Sequence, residues 1–101
     1  MIIAGLMCGV ATFYGMGDGF HGQRTASGEH FSAYRLTAAH PYLKMGSVVR
    51  VTNQDNKKQV IVRINDRGPY SHADIDLSYG AFTRIAPASN GNATVCFRVI
   101  G

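Results

Sequence analysis

Residues 59–69 read Gln-Val-Ile-Val-Arg-Ile-Asn-Asp-Arg-Gly-Pro. Apolar residues alternate at Val60, Val62 and Ile64, which is the pattern of a β-strand with one face in a protein core. The Asp-Arg-Gly-Pro sequence then ends the strand, because proline cannot donate to a strand ladder and glycine favours turns. The stretch therefore predicts a half-buried strand that carries a carboxylate, Asp66, at its end.

The flanking segments repeat this pattern of short strands separated by turns. Residues 54–58 have the polar composition of a turn, so residues 47–53 and 59–65 are expected to pair as a hairpin. Further strands are predicted at 9–14, 75–77 and 93–100, a short apolar run lies at 36–40, and one or two helical turns are predicted over 78–86, with Ser78 as the N-cap. The class is mainly β, and a small closed barrel is expected because closure removes exposed strand edges.

The bulk composition narrows the function classes. The 101 residues are 46% hydrophobic and 16% charged, which predicts one globular domain over residues 1–101. The net charge of +4 fits ordinary solubility or attraction to a polyanion, but the ten Lys and Arg residues are dispersed, which disfavours nucleic acid. The chain has no P-loop or dinucleotide fingerprint and no zinc-type spacing of Cys and His. We therefore expect no nucleotide, metal or other cofactor.

The two cysteines and the first residues give information on the cellular compartment of the protein. Cys8 and Cys96 lie in the first and last apolar segments, so a barrel can bring them together as a disulfide, which would imply an oxidising compartment. The alternative is two buried free thiols. Residues 1–8 are apolar but too short to span a bilayer, and they lack the basic segment and cleavage site of a signal peptide. We expect no transmembrane segment, and a mature or trimmed chain or one exported by another route.

Among the six carboxylates, Asp55 and Asp18 are assigned to turns. Asp66 lies at the end of an apolar strand, where partial desolvation raises the pKa of a carboxyl group and suits a general acid. The alternative is that Asp66 caps a turn or pairs with Arg67. Asp76 lies in an apolar segment, so anchoring and catalysis both remain open there.

Three further residues lie near these carboxylates in the sequence or are candidates for the site. Asp74 alternates with Asp76, so the two carboxylates would face one side of a strand and raise one pKa. Glu29, at the end of the loop 25–29, is either a surface residue or a site residue. His40, before Pro41, is either a satisfied structural histidine or a site residue. No serine has a nucleophile-elbow context, so a serine hydrolase is disfavoured.

These residues fall in motifs that occur together and in a fixed order. They are Ala-Thr-Phe-Tyr-Gly (11–15), Phe-His-Gly (20–22), Thr-Ala-Ser-Gly-Glu (25–29), Leu-Thr-Ala-Ala-His (36–40), Gly-Ser-Val-Val-Arg-Val-Thr-Asn (46–53), Val-Arg-Ile-Asn-Asp-Arg-Gly-Pro-Tyr (62–70) and Ile-Asp-Leu-Ser (75–78). Over residues 9–86 the chain resembles the rare lipoprotein A (RlpA) family. The resemblance implies a six-stranded double-psi β-barrel with one or two short helices.

The resemblance also implies an activity. Members of the family are lytic transglycosylases that act on peptidoglycan glycan strands, preferring strands stripped of stem peptides. They cleave the β-1,4 bond between N-acetylmuramic acid and N-acetylglucosamine and leave 1,6-anhydro ends. The family's catalytic aspartate corresponds to Asp66, and its important glutamate and histidine correspond to Glu29 and His40. Asp66 would act first as acid and then as base. Glu29 would stabilise the oxocarbenium-like charge on the sugar or orient the sugar. His40 would hydrogen-bond a carboxylate and hold it in place.

The remaining expected contacts to glycan involve side chains around these three. They are Asp76, Tyr14, Arg67, Tyr70 and Ser27, with Phe20 and Tyr79 as further candidates for stacking on sugar rings. Expansins and MltA-type transglycosylases, which resemble this barrel more distantly, also have an aspartate in the region of Asp76. The implied location is the periplasm, cell envelope or exterior, and a monomer is expected.

The chain departs from the family pattern in one place that bears on function. Residues 71–74 read Ser-His-Ala-Asp, where family members often have a Gly-Arg pair. A cation near the groove is thus replaced by Asp74, which keeps open a non-catalytic, expansin-like module that binds cell-wall glycan. A third interpretation is a toxin-like protein delivered to the envelope of a rival cell.

Overall fold

A computed structural model describes residues 5–70 and 73–101. Its strands are β1 (Met7–Tyr14), β2 (Thr37–Ala39), β3 (Val48–Asn53), β4 (Gln59–Asp66), β5 (Ile75–Ser78) and β6 (Ala93–Val99), with a helix α1 (Tyr79–Phe82) and a 3₁₀ turn (Ala88–Asn90). The strands close into a barrel in the order β1-β5-β2-β4-β3-β6. The predicted mainly β class and closed six-stranded barrel are confirmed.

Strand β1 pairs in parallel with β5, and β2 pairs in parallel with β4. The other neighbouring strands of the barrel pair antiparallel. The alternating apolar residues of β4 point inward as predicted, and Val60, Val62 and Ile64 are buried. They pack with Phe82 of α1 and Phe97 of β6 in a single cluster. This cluster supplies the apolar burial that stabilises a domain of this size.

Local predictions hold at the hairpin and at the helix. The predicted hairpin joins β3 to β4 with Thr52 opposite Gln59, and Asp55 lies exposed in its turn. The Ser78 hydroxyl accepts a hydrogen bond from the Ala81 amide over 3.1 Å, which confirms Ser78 as the N-cap of α1. The α-helix ends at Phe82, after one turn.

The strand β2 is the element that the residue pattern did not identify as a strand. Its sequence Thr-Ala-Ala is short and holds two alanines, which strands generally disfavour. All three residues are buried, because β2 lies between β4 and β5 in the barrel. Tertiary pairing on both edges therefore decides the conformation of this segment.

A β-bulge interrupts the pairing of β2 with β4. Ala38 pairs with Ile64, but Ala39 pairs with Asp66, so Asn65 is an extra residue on β4. Asn65 is consequently buried, at 2% exposure, although its neighbour Ile64 already points into the core. A bulge of this kind re-aims the side chains that follow it, here the carboxylate of Asp66.

The ends of the chain are joined by a disulfide between Cys8 and Cys96. The two residues face each other directly on the antiparallel strands β1 and β6. The disulfide is the first of the two alternatives expected from the sequence, and the described residues contain no free cysteine.

Candidate functional site

A row of paired residues crosses four strands on one side of the barrel. Asp66 on β4 pairs with Ala39 on β2, Ala39 pairs with Asp76 on β5, and Asp76 pairs with Thr12 on β1. Because neighbouring strands lie about 4.8 Å apart, the backbones of Asp66 and Asp76 are separated by about 10 Å. Two predicted site carboxylates thus lie on one surface, brought there by strands β4 and β5.

Three hydrogen bonds orient the Asp66 carboxylate. Its Oδ1 accepts from the backbone amides of Ala26 and Arg67, each over 2.9 Å, and its Oδ2 accepts from the Tyr14 hydroxyl over 3.2 Å. The guanidinium of Arg67 instead donates to the backbone carbonyl oxygens of His40 and Leu43, at 3.2 and 2.7 Å. Asp66 therefore accepts from the Arg67 amide where β4 ends, as a turn-capping carboxylate does, but it is not paired with the Arg67 side chain.

Tyr14 packs in an aromatic cluster with Phe20 and Phe31. Its ring stacks on Phe31 with centroids 4.7 Å apart and meets the edge of Phe20 at 5.1 Å. Burial, reinforced by the charge of Asp66, raises the pKa of the Tyr14 phenol well above its usual range. The hydroxyl therefore stays protonated and serves as a hydrogen-bond donor to Asp66.

The surroundings of Asp76 change the acidity of its carboxyl group. Burial raises the pKa of its carboxyl to about 6, the negative charges of Asp18 and Asp66 act in the same direction, and a hydrogen bond from Thr12 opposes the rise. The Thr12 hydroxyl donates to Asp76 Oδ1 over 2.9 Å. The expectation that Asp74 is the neighbouring charge was wrong, because the Asp74 carboxylate turns to the Val10 amide, 2.8 Å away.

Glu29 is clamped by two residues of β4. Its Oε1 lies 2.9 Å from Arg63 Nη1 and accepts from Asn65 Nδ2 over 2.7 Å, while its Oε2 accepts from Arg63 Nη2 over 3.1 Å. The hydrogen bond from Arg63 lowers the pKa of the Glu29 carboxyl, with burial acting in the opposite direction. Glu29 is therefore an ionised anchor that holds the loop 25–29 onto β4.

The anchored loop supplies one of the donors to Asp66. A turn forms as the Gly28 amide donates to the Thr25 carbonyl, and the Ser27 amide donates to the Asn65 carbonyl over 3.1 Å. The Ser27 hydroxyl lies 2.8 Å from that of Thr25. Through these contacts the loop places the Ala26 amide against Asp66.

Asn65 belongs to the candidate site although its sequence context did not predict it. It ties Glu29 and the loop to β4, and its own Oδ1 is buried without a partner among the described residues. The available signal was a polar residue directly between the core residue Ile64 and the candidate acid Asp66.

His40 is buried, at 2% exposure, directly after β2. Its Nδ1 accepts from the backbone amides of Tyr42 and Leu43, over 3.2 and 3.1 Å, and its own amide donates to the Asp66 carbonyl over 3.2 Å. Burial, with the nearby positive charge of Arg67, lowers the pKa of the imidazole. His40 thus contacts Asp66 through its backbone, which corrects the expectation that its ring holds a carboxylate.

The candidate sugar-stacking aromatics differ in exposure. Tyr70 is 80% exposed, whereas Phe20 packs against Phe31 at 5.2 Å and Tyr79 meets Phe13 at 5.8 Å. Two further exposed rings, Tyr34 at 67% and Tyr42 at 72%, were not among the candidates. Of the residues in the altered segment, Ser71 and His72 lie outside the described residues.

A separate cleft of about 320 Å³ lies beside this surface. It is lined by Met7, Cys8, His40, Pro41, Tyr42, Ala73, Asp74 and Phe97, and therefore contains neither Asp66 nor Glu29. Within the two described ranges, no helix has the length and apolar character needed to cross a membrane.

Comparison with known proteins places this geometry in a family. Residues 6–97 match the sequence family described as lytic transglycolase. The chain is 53% identical over 90 residues to the endolytic peptidoglycan transglycosylase RlpA of Pseudomonas aeruginosa, and 50% identical over 94 residues to a probable one of Nostoc sp.. These matches cover 88% and 92% of this chain, which spans about a quarter of those curated relatives, 26% and 25%.

Solved structures show the same fold at low sequence identity. The Streptomyces papain inhibitor aligns with a TM-score of 0.78 at 22% identity, covering 96% of each chain. The expansin of Clavibacter michiganensis, solved as a mutant with cellohexaose, aligns with a TM-score of 0.74 at 19% identity over 95% of this chain and 50% of its own. The sequence matches and the closed barrel together show that the chain belongs to the lytic transglycolase family of double-psi β-barrels, as its resemblance to RlpA implied.

Proposed function

We propose that this domain is a peptidoglycan lytic transglycosylase that cleaves the β-1,4 bond between N-acetylmuramic acid and N-acetylglucosamine. The observation that carries the proposal is the Asp66 carboxylate, which is partly exposed in the same row of paired residues as Asp76 and is oriented by Ala26, Arg67 and Tyr14. The names of the RlpA relatives support the same activity.

The proposed reaction uses Asp66 in two protonation states. The protonated carboxyl donates its proton to the glycosidic oxygen as the bond from that oxygen to C1 of muramic acid breaks. The C6 hydroxyl of the same sugar then attacks C1, and its proton passes to the Asp66 carboxylate. The acid is regenerated, a 1,6-anhydro ring is formed, and no water is consumed, in contrast to hydrolysis by two carboxyls.

The surrounding residues have supporting roles in this proposal. Asp76, with a pKa of about 6, retains a proton at mildly acidic pH and hydrogen-bonds a sugar hydroxyl near the scissile bond. Glu29 acts as a positioning residue, because both of its oxygens are occupied by Arg63 and Asn65. The exposed ring of Tyr70 supplies a stacking surface for a sugar.

A cell-envelope or secreted location belongs to this proposal. The substrate lies in the envelope, and the disulfide between Cys8 and Cys96 is a bond that persists in oxidising compartments.

Digestion of peptide-stripped glycan strands tests the proposal. Mass spectrometry of the soluble products is expected to find 1,6-anhydro-muramic ends with the wild-type protein, and none with Asp66→Asn. The matched control is Asp55→Asn, a carboxylate in the exposed hairpin turn, which should cleave like the wild type. Undiminished cleavage by Asp66→Asn would remove this residue from the reaction.

The second candidate is a glycan-binding module without cleavage. The same barrel fold was solved in an expansin with cellohexaose, and Asp74 stands where family members often carry a cation. Retention of the protein on insoluble cell wall, with no soluble product from any substrate, would favour this candidate.

A further inference from the structure

The cleft beside the catalytic surface has a buried polar group at its wall. His40 is 98% buried and lines the cleft, which has a volume of about 320 Å³. Because its Nδ1 accepts from the amides of Tyr42 and Leu43, the neutral ring carries its proton on Nε2. This Nε2–H makes no hydrogen bond to any described residue, so one residue that lines the cleft has a free donor.

A second residue that lines the cleft has a free acceptor. The Asp74 carboxylate lines the cleft and uses one oxygen, Oδ2, to accept from the Val10 amide over 2.8 Å. It reaches that amide because β1 has a glycine at this point, and a Cβ on Gly9 would collide with the carboxylate. The second oxygen, Oδ1, has no hydrogen-bond partner in the described parts of the chain.

Apolar and aromatic side chains form the remaining walls. Met7 and Phe97 line the cleft, and the ring of Tyr42 meets that of His40 edge-on, with centroids 4.6 Å apart. Tyr42 is nevertheless 72% exposed, so its ring borders the entrance. The Tyr42 hydroxyl donates to Met7 Sδ over 3.9 Å. The residues that line the cleft therefore combine the free His40 donor, the free Asp74 acceptor and an apolar surface around a volume typical of a small ligand site.

We propose that this cleft binds an N-acetylglucosamine unit of the glycan strand through its acetamido group. The carbonyl oxygen of that group accepts from His40 Nε2–H, its N–H donates to Asp74 Oδ1, and its methyl group lies against Met7 and Phe97. The inference rests on the proposed function, because it assigns the cleft to the same glycan that Asp66 cleaves.

Asp74 has the charged side chain among the residues that line the cleft, whereas the Arg67 guanidinium is bound to the backbone carbonyl oxygens of His40 and Leu43. The Asp74 charge therefore selects between the two sugars of the strand. In peptide-stripped glycan, N-acetylmuramic acid carries a free lactyl carboxylate, which the Asp74 carboxylate repels. N-acetylglucosamine has the same acetamido group without that charge. The sugar in the cleft is therefore N-acetylglucosamine, and the muramic acid lies outside it.

Binding of two uncharged tetrasaccharides tests the inference. The probes are the β-1,4 tetramer of N-acetylglucosamine and cellotetraose, which has the same linkage but a hydroxyl in place of each acetamido group. Amide chemical shifts of the wild-type protein should move at Tyr42 and Leu43 with the acetylated tetramer, and its affinity should be about tenfold higher than that of cellotetraose. Equal affinity for both tetramers, or shifts confined to the surface around Asp66 and Thr12, would overturn the inference.

Two variants with matched controls locate the contacts. In Asp74→Asn, the amide oxygen stays on the Val10 amide and an NH₂ group replaces the free acceptor, so affinity should fall about tenfold without loss of the fold. The control is Asp55→Asn. Tyr42→Ala should also weaken binding, whereas Tyr34→Ala, which removes an equally exposed ring away from the cleft, should not. Unchanged affinity in Asp74→Asn would contradict the assignment.

The two proposals fail in different ways. If stripped strands are cleaved in an Asp66-dependent manner but the acetylated tetramer does not shift the cleft amides, the cleft assignment is wrong and the cleavage stands. If the tetramer binds at the cleft but no strand is cut, the cleavage is wrong and the cleft assignment stands.

Discussion

The hydroxyl of Tyr14 donates to Asp66 Oδ2 over 3.2 Å, although the two residues lie on strands that are not neighbours in the barrel. Tyr14 ends β1, and Asp66 ends β4, with β5 and β2 between these strands. This hydrogen bond therefore crosses the row of paired residues that links Asp66 to Asp76. It is one of three bonds that orient the proposed catalytic carboxyl.

Removing this hydroxyl should weaken catalysis and leave the fold in place. Tyr14→Phe keeps the ring that stacks on Phe31 but loses the donor to Asp66. Since a hydrogen bond to a charged group contributes about 1.5–3 kcal/mol, we expect the cleavage rate to fall about 10- to 100-fold. The rate of release of anhydro ends measures the effect, with Tyr34→Phe as the control. A rate equal to that of the wild type would show that the hydroxyl does not serve the reaction.

The contacts of Arg63 and Asn65 with Glu29 should hold the loop 25–29 against β4, and we do not expect them to take part in the proton transfer itself. Glu29→Gln loses the charge paired with Arg63, and Asn65→Ala loses the 2.7 Å bond to Glu29 Oε1. Both variants should speed hydrogen exchange at the Ala26 amide, because its partner Asp66 is reached only through the docked loop. The stability cost of losing the ion pair should be no more than about 1 kcal/mol, since both side chains are more than one-third exposed.

The matched control for this measurement is Asp55→Asn, in a turn remote from the loop. Ala26 protection that is unchanged in both Glu29→Gln and Asn65→Ala would show that the loop is held by other contacts.

The raised pKa of Asp76 predicts a pH-dependent loss of stability. Burial raises this pKa from 3.8 to about 6, so the folded protein holds a proton that the unfolded chain releases between these values. The destabilisation is absent below about pH 4, grows as the pH rises, and reaches about 3 kcal/mol above about pH 6. Asp76→Asn, which keeps an acceptor for Thr12, should therefore gain stability over the wild type at high pH.

Urea unfolding of both proteins at about pH 4 and about pH 8 measures this difference. The contributions of the other titrating groups to the pH dependence cancel in this difference, because the wild type and the variant share those groups. A stability difference that does not change between the two pH values would mean that Asp76 is not held in a desolvating environment.

Reduction of the disulfide should lower the stability of the whole barrel. Cys8 and Cys96 are 88 residues apart, so their bond restricts almost the entire unfolded chain. In the chain-entropy model this contributes about 4–5 kcal/mol to the free energy of unfolding. Thermal unfolding with and without reductant should show a large drop in midpoint. Free alkylation of both thiols in a protein prepared under oxidising conditions would contradict the pairing.

The sequence by itself determined the strands that have strong periodicity and the identity of the family. Alternation at Val60, Val62 and Ile64 predicted the buried face of β4, and the polar turn after β3 predicted the hairpin. These features are local, because side-chain period and turn composition act over a few residues. The ordered motifs from 11–15 to 75–78 identified the family, and with it the six-stranded barrel and the candidate role of Asp66.

Only the tertiary structure decided how these residues meet. Closure of the barrel brings Tyr14 to Asp66 across 52 positions and sets Asp76 in the same row, while a bulge turns Asn65 inward to hold Glu29. The period of a strand fixes which side chains share a face, but it does not specify which strands become neighbours or where an extra residue breaks the register. For this physical reason only the folded barrel shows the arginine partner of Glu29, the backbone contact of His40 with Asp66 and the cleft around Asp74.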